Sequence, residues 1–308
     1  MIKNIKKIVK KRETRFIILK MLRFIPDRMM VKLQYRLYMR KKLNLKNPVK
    51  LSEKLQWLKL YNKNTDYDKI VDKFIVRELI TKSYGEKYLV PLLGVYDNFD
   101  EIDFSCLPNR FVIKCTHGSQ SNVIVYDKEK FDLEDIKKKI NFWMKLNWYH
   151  FGREYPYKNI KPRIIIEEYV SDSADVDYLT DYKFYCYNGK VDAVLICLDR
   201  NIGKTKYYFF NENWELLRYN HDGVNAPAGF KVKKPEHMSA MFEMAKDLCK
   251  GFPFIRVDMY YSNGNIFIGE LTLFPASGYD PNRLLEADIL MGSKLNLNET
   301  CYPEILRK

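Results

Sequence analysis

The stretch that most constrains this chain is residues 252–278, FPFIRVDMYYSNGNIFIGELTLFPASG. Apolar residues Phe254, Val257 and Tyr260 run into Ser262-Asn263-Gly264, a hairpin-type turn, and a second strand follows from Ile266 to Leu273. Two acids, Asp258 and Glu270, sit on opposite arms. Paired antiparallel strands bring such positions within side-chain reach. Neighbouring carboxylates repel unless a cation lies between them, and Mg²⁺ is typically held by one or two carboxylates plus phosphate oxygens. The plain alternative is a surface hairpin with two solvated acids.

Charge narrows the function classes. The 308 residues carry a net +14, but residues 1–50 hold 17 Lys+Arg against Glu13 and Asp27, a balance of +15. The rest of the chain therefore sums to −1, and the body is neutral. Within residues 1–45 the basic residues alternate with Ile5, Ile8, Val9, Phe16, Ile17, Leu19 and Leu22 at helical spacing, broken at Pro26-Asp27. A basic amphipathic helix is a signature of an anionic membrane surface; a helix packed on the body with its lysines in water is the alternative. No stacking platform or nucleic-acid motif accompanies the charge, so nucleic acid ranks below a membrane as a partner. No run reaches the eighteen or so apolar residues of a spanning helix. An apolar core with a cleavage site is also missing, which argues against a signal peptide. Cys106, Cys115, Cys186, Cys197, Cys249 and Cys301 show no metal or redox spacing. Reduced thiols and a cytoplasmic location are expected.

Taken in order, Ser52 reads as the N-cap of a helix to Tyr61, and a second helix spans about Asp66 to Ser83. A short strand region follows through Tyr96, and the acidic turns of 97–109 make a boundary. Arg110–Cys115 is a buried strand ending near Lys114. The small, polar run Thr116-His117-Gly118-Ser119-Gln120-Ser121-Asn122 leads from it into a second strand. Backbone N–H groups in such a loop turn toward an anion, and a lysine at the strand end adds a compact charge. An ordinary Gly-Ser hairpin loop is the alternative, with His117 a loop histidine. Asp132 to Tyr149 reads as a helix, and Arg163–Val170 as an apolar strand ending in Glu167-Glu168-Tyr169-Val170. The acidic segment 171–180 contains Asp175-Val176-Asp177, the spelling of a glycosyltransferase metal motif, although no apolar strand closely precedes it. Asp181 and Lys183 open a hairpin around Asn188-Gly189 that Asp199-Arg200 close. Two short strands (207–210 and 215–219), a helix (235–250) and a C-terminal helix and coil complete the chain.

The order of these blocks carries a resemblance. KLSEKLQWLKLY, FVIKCTHGSQSN, RIIIEEYV, DYKFYCYNGK and RVDMYY…GELTLFPASG resemble the ATP-grasp superfamily, and within it the TupA-like branch of teichuronopeptide and surface-polysaccharide synthesis, over roughly residues 25 to 285. The resemblance implies an α+β fold of two lobes whose antiparallel sheets clasp a nucleotide. The chain then divides into a basic helical segment (1–50), a leading region (51–109), a first lobe with the phosphate loop (110–170), a second lobe with the metal hairpin (171–290) and a tail (291–308). It also implies ATP and Mg²⁺. Lys114 would meet the α/β-phosphates, and the loop residues His117, Gly118, Ser119, Ser121 and Asn122 the β/γ-phosphates. Glu167, Glu168 and Val170 would grip adenine, and Asp181 or a nearby acid the ribose. Lys183 would reach the phosphates, Asp258 and Glu270 would hold Mg²⁺, and Arg256 suits an oxyanion on the same face as Asp258. Arg200 is a candidate for acceptor contact. Two departures stand out: Thr272 replaces the usual Asn of the metal site, and Gln120 stands where a glycine is expected.

The implied activity is carboxylate–amine ligation through an acylphosphate, joining an amine such as an amino acid to a polysaccharide or sugar-carboxylate precursor near a membrane. A sugar phosphotransferase, a glycosyltransferase and a non-catalytic membrane-surface protein are the competing readings.

Overall fold

A computed structural model describes residues 14–172, 179–198, 205–299 and 302–307. The described residues begin with two helices, α1 (residues 14–21) and α2 (Asp27–Met39), which meet at Pro26. α2 buries Met30, Val31 and Tyr35 and leaves Met29, Leu33 and Leu37, spaced four apart, in solvent. α3 (Leu51–Tyr61) starts one residue before the expected cap. Lys50 holds the cap position, and the Glu53 carboxylate accepts the Val49 and Lys50 amides at 3.1 and 3.3 Å. Ser52 instead donates from inside the helix to Asp288 at 2.5 Å.

The helix expected over 66–83 is divided into α4 (Tyr67–Val71) and α5 (Ile75–Tyr84). Asp72 makes the break: its carboxylate accepts the Phe74 amide at 2.8 Å, a local bond that competes with helix continuation. The break also lets the Lys73 amide donate to the Thr116 carbonyl at 3.1 Å. β1 (Leu92–Tyr96), β2 (Phe111–Cys115) and β3 (Asn122–Val125) precede α6 (Leu133–Met144). α6 ends short of the expected Tyr149, and a new short helix, α7 (Tyr149–Gly152), follows, whose first amide donates to Asn147 Oδ1 at 3.0 Å. β4 (Ile164–Glu168) completes an antiparallel sheet of order β1-β4-β2-β3. One face of it buries Phe111, Ile113 and Ile166 against Ile140 and Trp143 of α6.

The second sheet begins with β5 (Asp181–Tyr187), β6 (Lys190–Leu198), β7 (Lys206–Phe210) and β8 (Leu216–Leu217). After α8 (His221–Val224) and α9 (Met238–Leu248) come β9 (Phe254–Ser262) and β10 (Asn265–Thr272), then α10 (Leu285–Ser293). All ladders are antiparallel, in the order β10-β9-β5-β6-β7-β8. Asn188-Gly189 and Asn263-Gly264 turn the two hairpins with paired positive φ (45° and 74°, 47° and 83°), as two-residue hairpin loops require. Alternation divides this sheet cleanly. Phe184, Val257 and Met259 are buried in the core that Phe242 of α9 shares, with the Phe184 and Phe242 rings 5.0 Å apart. Lys183, Arg256 and Asp258 alternate with these apolar residues and point to the other face. α3, α4 and α5 join the same core.

Candidate active site

The polar face of the second sheet lines a cleft of about 230 Å³, walled on its other side by β2 and the loop after it. Cross-strand register places Lys183 of β5 opposite Asp258 of β9. The Asp258 side chain is 2% exposed and is gripped by two cations. Arg256 donates to it from Nε and Nη2, both at 2.6 Å, and Lys183 from Nζ at 2.7 Å. Burial alone would raise this carboxyl, but the Arg256 and Lys183 charges outweigh it and hold it below the usual carboxylate range. Burial pushes Lys183 down, and Asp258 in turn lifts it above the usual lysine value.

Glu270 stands directly opposite Asp258, and a bulge puts it there. Ile268 pairs with Met259, but Glu270 rather than Gly269 pairs with Asp258, so one extra residue is accommodated at Gly269. Without the bulge Glu270 would face Val257 and point into the core. Only glycine fits: a Cβ on Gly269 would lie 2.3 Å from the Tyr260 ring. The Glu270 side chain is 27% exposed, with Lys73 Nζ 3.7 Å away.

Across the cleft, Glu167 of β4 is held between Lys114 of β2 and Arg77 of α5. Arg77 donates to Glu167 Oε1 at 2.7 Å and, through its other nitrogen, to the Val90 carbonyl at 2.7 Å. The loop 116–121 closes on itself, with the Cys115 amide donating to the Ser121 carbonyl at 2.9 Å. Gln120, where a glycine was expected, takes the left-handed conformation that glycine favours (φ 55°).

The expected residues separate into groups. Lys114, Ser119, Ser121 and Asn122 line the cleft from the first lobe, together with Glu167. Asp181, Lys183, Asp258 and Glu270 line it from the second. Arg256 and Thr272 face the adjoining cavity, where Arg256 Nη2 donates to Thr272 Oγ1 at 3.2 Å. Glu168 is exposed and Val170 half-buried, and neither lines the cleft. His117 and Gly118 do not line it either. His117 is buried beneath the loop with Nε2 3.0 Å from the Trp143 carbonyl, and burial pushes its imidazole down to about 4. Gly118 packs so closely that a Cβ would overlap the Trp148 ring, and its carbonyl accepts from Lys73. Arg200 and the Asp175-Val176-Asp177 motif lie outside the described residues. Sequence reading missed Lys73 and Arg77. Their signal was Asp72, a helix-breaking acid inside an otherwise regular helical pattern.

It also missed the neighbouring cavity, of about 640 Å³, which shares Ser119, Gln120, Lys183 and Glu270 with the cleft. Its walls are largely aromatic, including Trp148, Tyr157, Tyr185, Tyr207 and Phe209. One corner is the turn after β10, where Ala276, Ser277 and Gly278 all take positive φ (48°, 55°, 72°). Consecutive left-handed residues carry strain of about 1–2 kcal/mol each for non-glycines. A buried network holds the turn: Lys59 of α3 donates to the Gly152 and Ser277 carbonyls, each at 2.8 Å, and Ser277 Oγ donates to Glu154 at 2.6 Å. Burial lowers the Lys59 ammonium to about 7 and raises the Glu154 carboxyl.

Two facing lobes, each an antiparallel sheet backed by helices, with opposed lysines and a carboxylate pair on a hairpin between them, define an ATP-grasp enzyme. The sequence profile of the TupA-like ATP-grasp family matches residues 53–296. The chain belongs to that family. No curated protein matches the sequence. Among solved structures the chain is similar to the D-alanine–D-alanine ligase from Bacillus anthracis, at 16% identity over 73% of this chain and 67% of that one (TM-score 0.37). It is similar to D-cycloserine synthetase DcsG at 15% over 74% and 71% (TM-score 0.38). ATP-grasp ligase PsnB, complexed with minimal precursor, Mg and ADP, is similar at 9% over 72% and 58% (TM-score 0.37), so this chain spans less than two-thirds of that one. At these values the likenesses carry no argument about substrate.

ATP-grasp enzymes use ATP and Mg²⁺, and the donor set fits both. Lys73, Arg77, Lys114 and Lys183 line the cleft with Glu167, Asp181, Asp258 and Glu270, four cations to four acids, and lysine and arginine donors of this kind suit phosphate oxygens. Among the described residues no cluster of three or more His, Cys, Asp or Glu forms a closed metal cage. Glu270, partly exposed opposite Asp258 with the Thr272 hydroxyl nearby, is the kind of carboxylate that Mg²⁺ takes when phosphates complete its shell.

Proposed function

We propose that this protein is an ATP- and Mg²⁺-dependent carboxylate–amine ligase acting on a surface-polysaccharide precursor. One observation carries the reading: Lys183 and Glu270 border both the polar cleft and the aromatic cavity, so a phosphoryl group held in the first abuts an acceptor held in the second.

In this reading Lys114, the 119–122 loop and Lys183 hold the phosphates, Asp181 meets the ribose, and the end of β4 at Glu167 borders adenine. Asp258 and Glu270, with Thr272 at hand, would hold Mg²⁺, whose charge offsets that on the transferring phosphoryl group. An acceptor carboxylate oxygen attacks the γ-phosphorus, and the bond to the β-phosphate oxygen breaks, releasing ADP. Arg256 and Lys183 offset the charge of the resulting acylphosphate. An amine then attacks the acyl carbon, the carbon–oxygen bond to phosphate breaks, and the amine proton passes to a carboxyl of the cavity, for which Glu154 is placed. The protein contributes mainly position and preorganised charge.

The sugar-precursor assignment draws support from the aromatic walls, which suit the apolar faces of pyranose rings. Residues 14–42 add nine Lys and Arg against Asp27 alone, which favours the cytoplasmic face of an anionic membrane. Among the described residues no helix is long and apolar enough to cross one. The test is a phosphate-release assay with Mg-ATP over a panel of uronic acids and amino acids. Release that requires both a carboxylate and an amine, with a new amide by mass spectrometry, is the expected result. A phosphorylated sugar as the final product would make the protein a phosphotransferase, and a melting shift with nucleotide-sugars but not ATP a glycosyltransferase.

A further inference from the structure

A groove of about 550 Å³ runs between α1 and α2. Ile18, Leu19 and Leu22 form one wall, and Met30, Leu33 and Leu37 the other. Leu33 and Leu37 are 45% and 67% exposed, unusually open for large apolar side chains that share one face. Arg15 and Tyr38 line both it and the aromatic cavity, so the two spaces adjoin at these side chains. At the junction the Arg15 guanidinium lies over the Phe151 and Tyr38 rings, 4.3 and 5.0 Å from their centroids.

The outside of the same helices is apolar and cationic together. Ile17, Met21, Phe24 and Met29 are more than half exposed, and Lys20, Arg23, Arg28, Lys32 and Arg36 surround them in solvent. The one acid of this segment, Asp27, is already engaged by the Tyr149 hydroxyl at 2.5 Å and by Arg153 at 3.3 Å. Apolar side chains ringed by cations complement the interface of an anionic bilayer.

Resting on the ligase reading above, we infer that the acceptor arrives on a lipid anchor: the α1–α2 groove takes the hydrocarbon chain, Arg15 the phosphate joining it to the acceptor, and the aromatic cavity the sugar. Three chemistries lie in line, from hydrocarbon through cation to aromatic cavity, and the line ends at Arg256 and Lys183. A free sugar acid would use only the cavity. A partner protein has no need of a groove that adjoins the reaction space.

The test uses the full chain and two probes, monododecyl phosphate below its micellar concentration and butyl phosphate, by titration calorimetry. Dodecyl phosphate is expected to bind at least ten-fold tighter than butyl phosphate. Leu33→Glu, at an exposed wall position, removes most of that preference, while Arg15→Gln weakens both probes alike. Equal affinity of the two probes for the wild-type protein overturns the inference, as does an undiminished chain-length preference in Leu33→Glu. A dimer in sedimentation equilibrium that Leu33→Glu dissolves assigns the face to self-association and also overturns it. A Mg-ATP melting shift, expected in wild type and Leu33→Glu alike, reports separately on the ligase reading: its absence would sink that reading while leaving the chain-length result to stand or fall by itself.

Discussion

The polar cleft and the aromatic cavity share Ser119, Gln120, Lys183 and Glu270, yet they are built by different rules. Much of the cleft's charge sits two residues apart on neighbouring strands: Asp181 and Lys183 on β5, Arg256 and Asp258 leading to the cleft on β9. Register fixes these positions, and a single glycine bulge adds Glu270. The cavity draws Trp148, Tyr157, Tyr185, Phe209 and Asn220 from segments remote in sequence, and only tertiary packing brings them together. Chemistry that sits on one ladder is set locally, whereas the shape that selects an acceptor is set by the whole fold.

The largest expected effects separate the two acids of the cleft. Asp258→Asn removes the charge that compensates buried Arg256 and Lys183, and should destabilise the fold by about 3–5 kcal/mol in denaturant unfolding. Glu270→Gln removes only a half-exposed contact to Lys73 and should leave the unfolding midpoint nearly unchanged. Its turnover should nonetheless fall by about 10²-fold or more, measured as ADP release at saturating ATP. Undiminished turnover in Glu270→Gln would remove the carboxylate pair from the mechanism and leave Asp258 a structural ion-pair centre.

His117 ties the loop shared by both spaces to α6, and its effect is read in pH. Burial lowers its imidazole from 6.5 to about 4, with the nearby Lys73 charge acting in the same direction. The unfolded chain binds that proton as pH falls through 6.5 while the folded chain does not. Stability is therefore lost between 6.5 and about 4, amounting to about 3 kcal/mol at the acid end. His117→Gln should remove this part of the decline when melting temperature is scanned over that range. A profile unchanged by the substitution would place the titration elsewhere.

This division also explains what could be read in the sequence. The β9–β10 hairpin, the Asn188-Gly189 hairpin and the FVIKC strand announce themselves through alternation and turn residues, and the family resemblance rested on their order. Lys114, Lys183 and Asp258 could be placed from those strands alone. The bulge at Gly269 could not, because the Tyr260 ring that crowds this position comes from the neighbouring strand. The same holds for Lys73, whose direction depends on Asp72 interrupting a helix. His117 looked like a phosphate-loop residue by its position. Its burial against Trp143 follows from where α6 packs, which no local pattern encodes. The cavity walls were invisible for the same reason, as was the Lys59–Ser277–Glu154 network behind them.

A smaller effect tests the cavity by itself. Tyr207 lines it and is 36% exposed, so its removal costs the core little. Tyr207→Ala should raise KM for the acceptor by about ten-fold, roughly the 1.4 kcal/mol of one lost aromatic contact. KM for ATP should stay within a factor of about two, since no cleft wall is touched. Equal rises in both would mean that the two spaces are one binding site, and the comparison drawn above would fail.

The smallest effect concerns Thr272, which stands where the resemblance implies asparagine. Its hydroxyl accepts a hydrogen bond from Arg256 at 3.2 Å, while Arg256 keeps two shorter bonds to Asp258. If that hydrogen bond is its whole role, Thr272→Val loses one weak contact to a guanidinium that is already fixed, and turnover should fall by only about five-fold. The Mg²⁺ dependence should keep its shape, because Asp258 and Glu270 remain. Thr272→Asn adds an amide oxygen on the same face of β10, within reach of Glu270 two residues before it, and should tighten Mg²⁺ binding rather than weaken it. A Thr272→Val protein with turnover lowered by about 10²-fold and a Mg²⁺ titration reduced from two steps to one would make the hydroxyl a ligand of a second ion. In that case two metals rather than one would offset the charge of the triphosphate in the cleft.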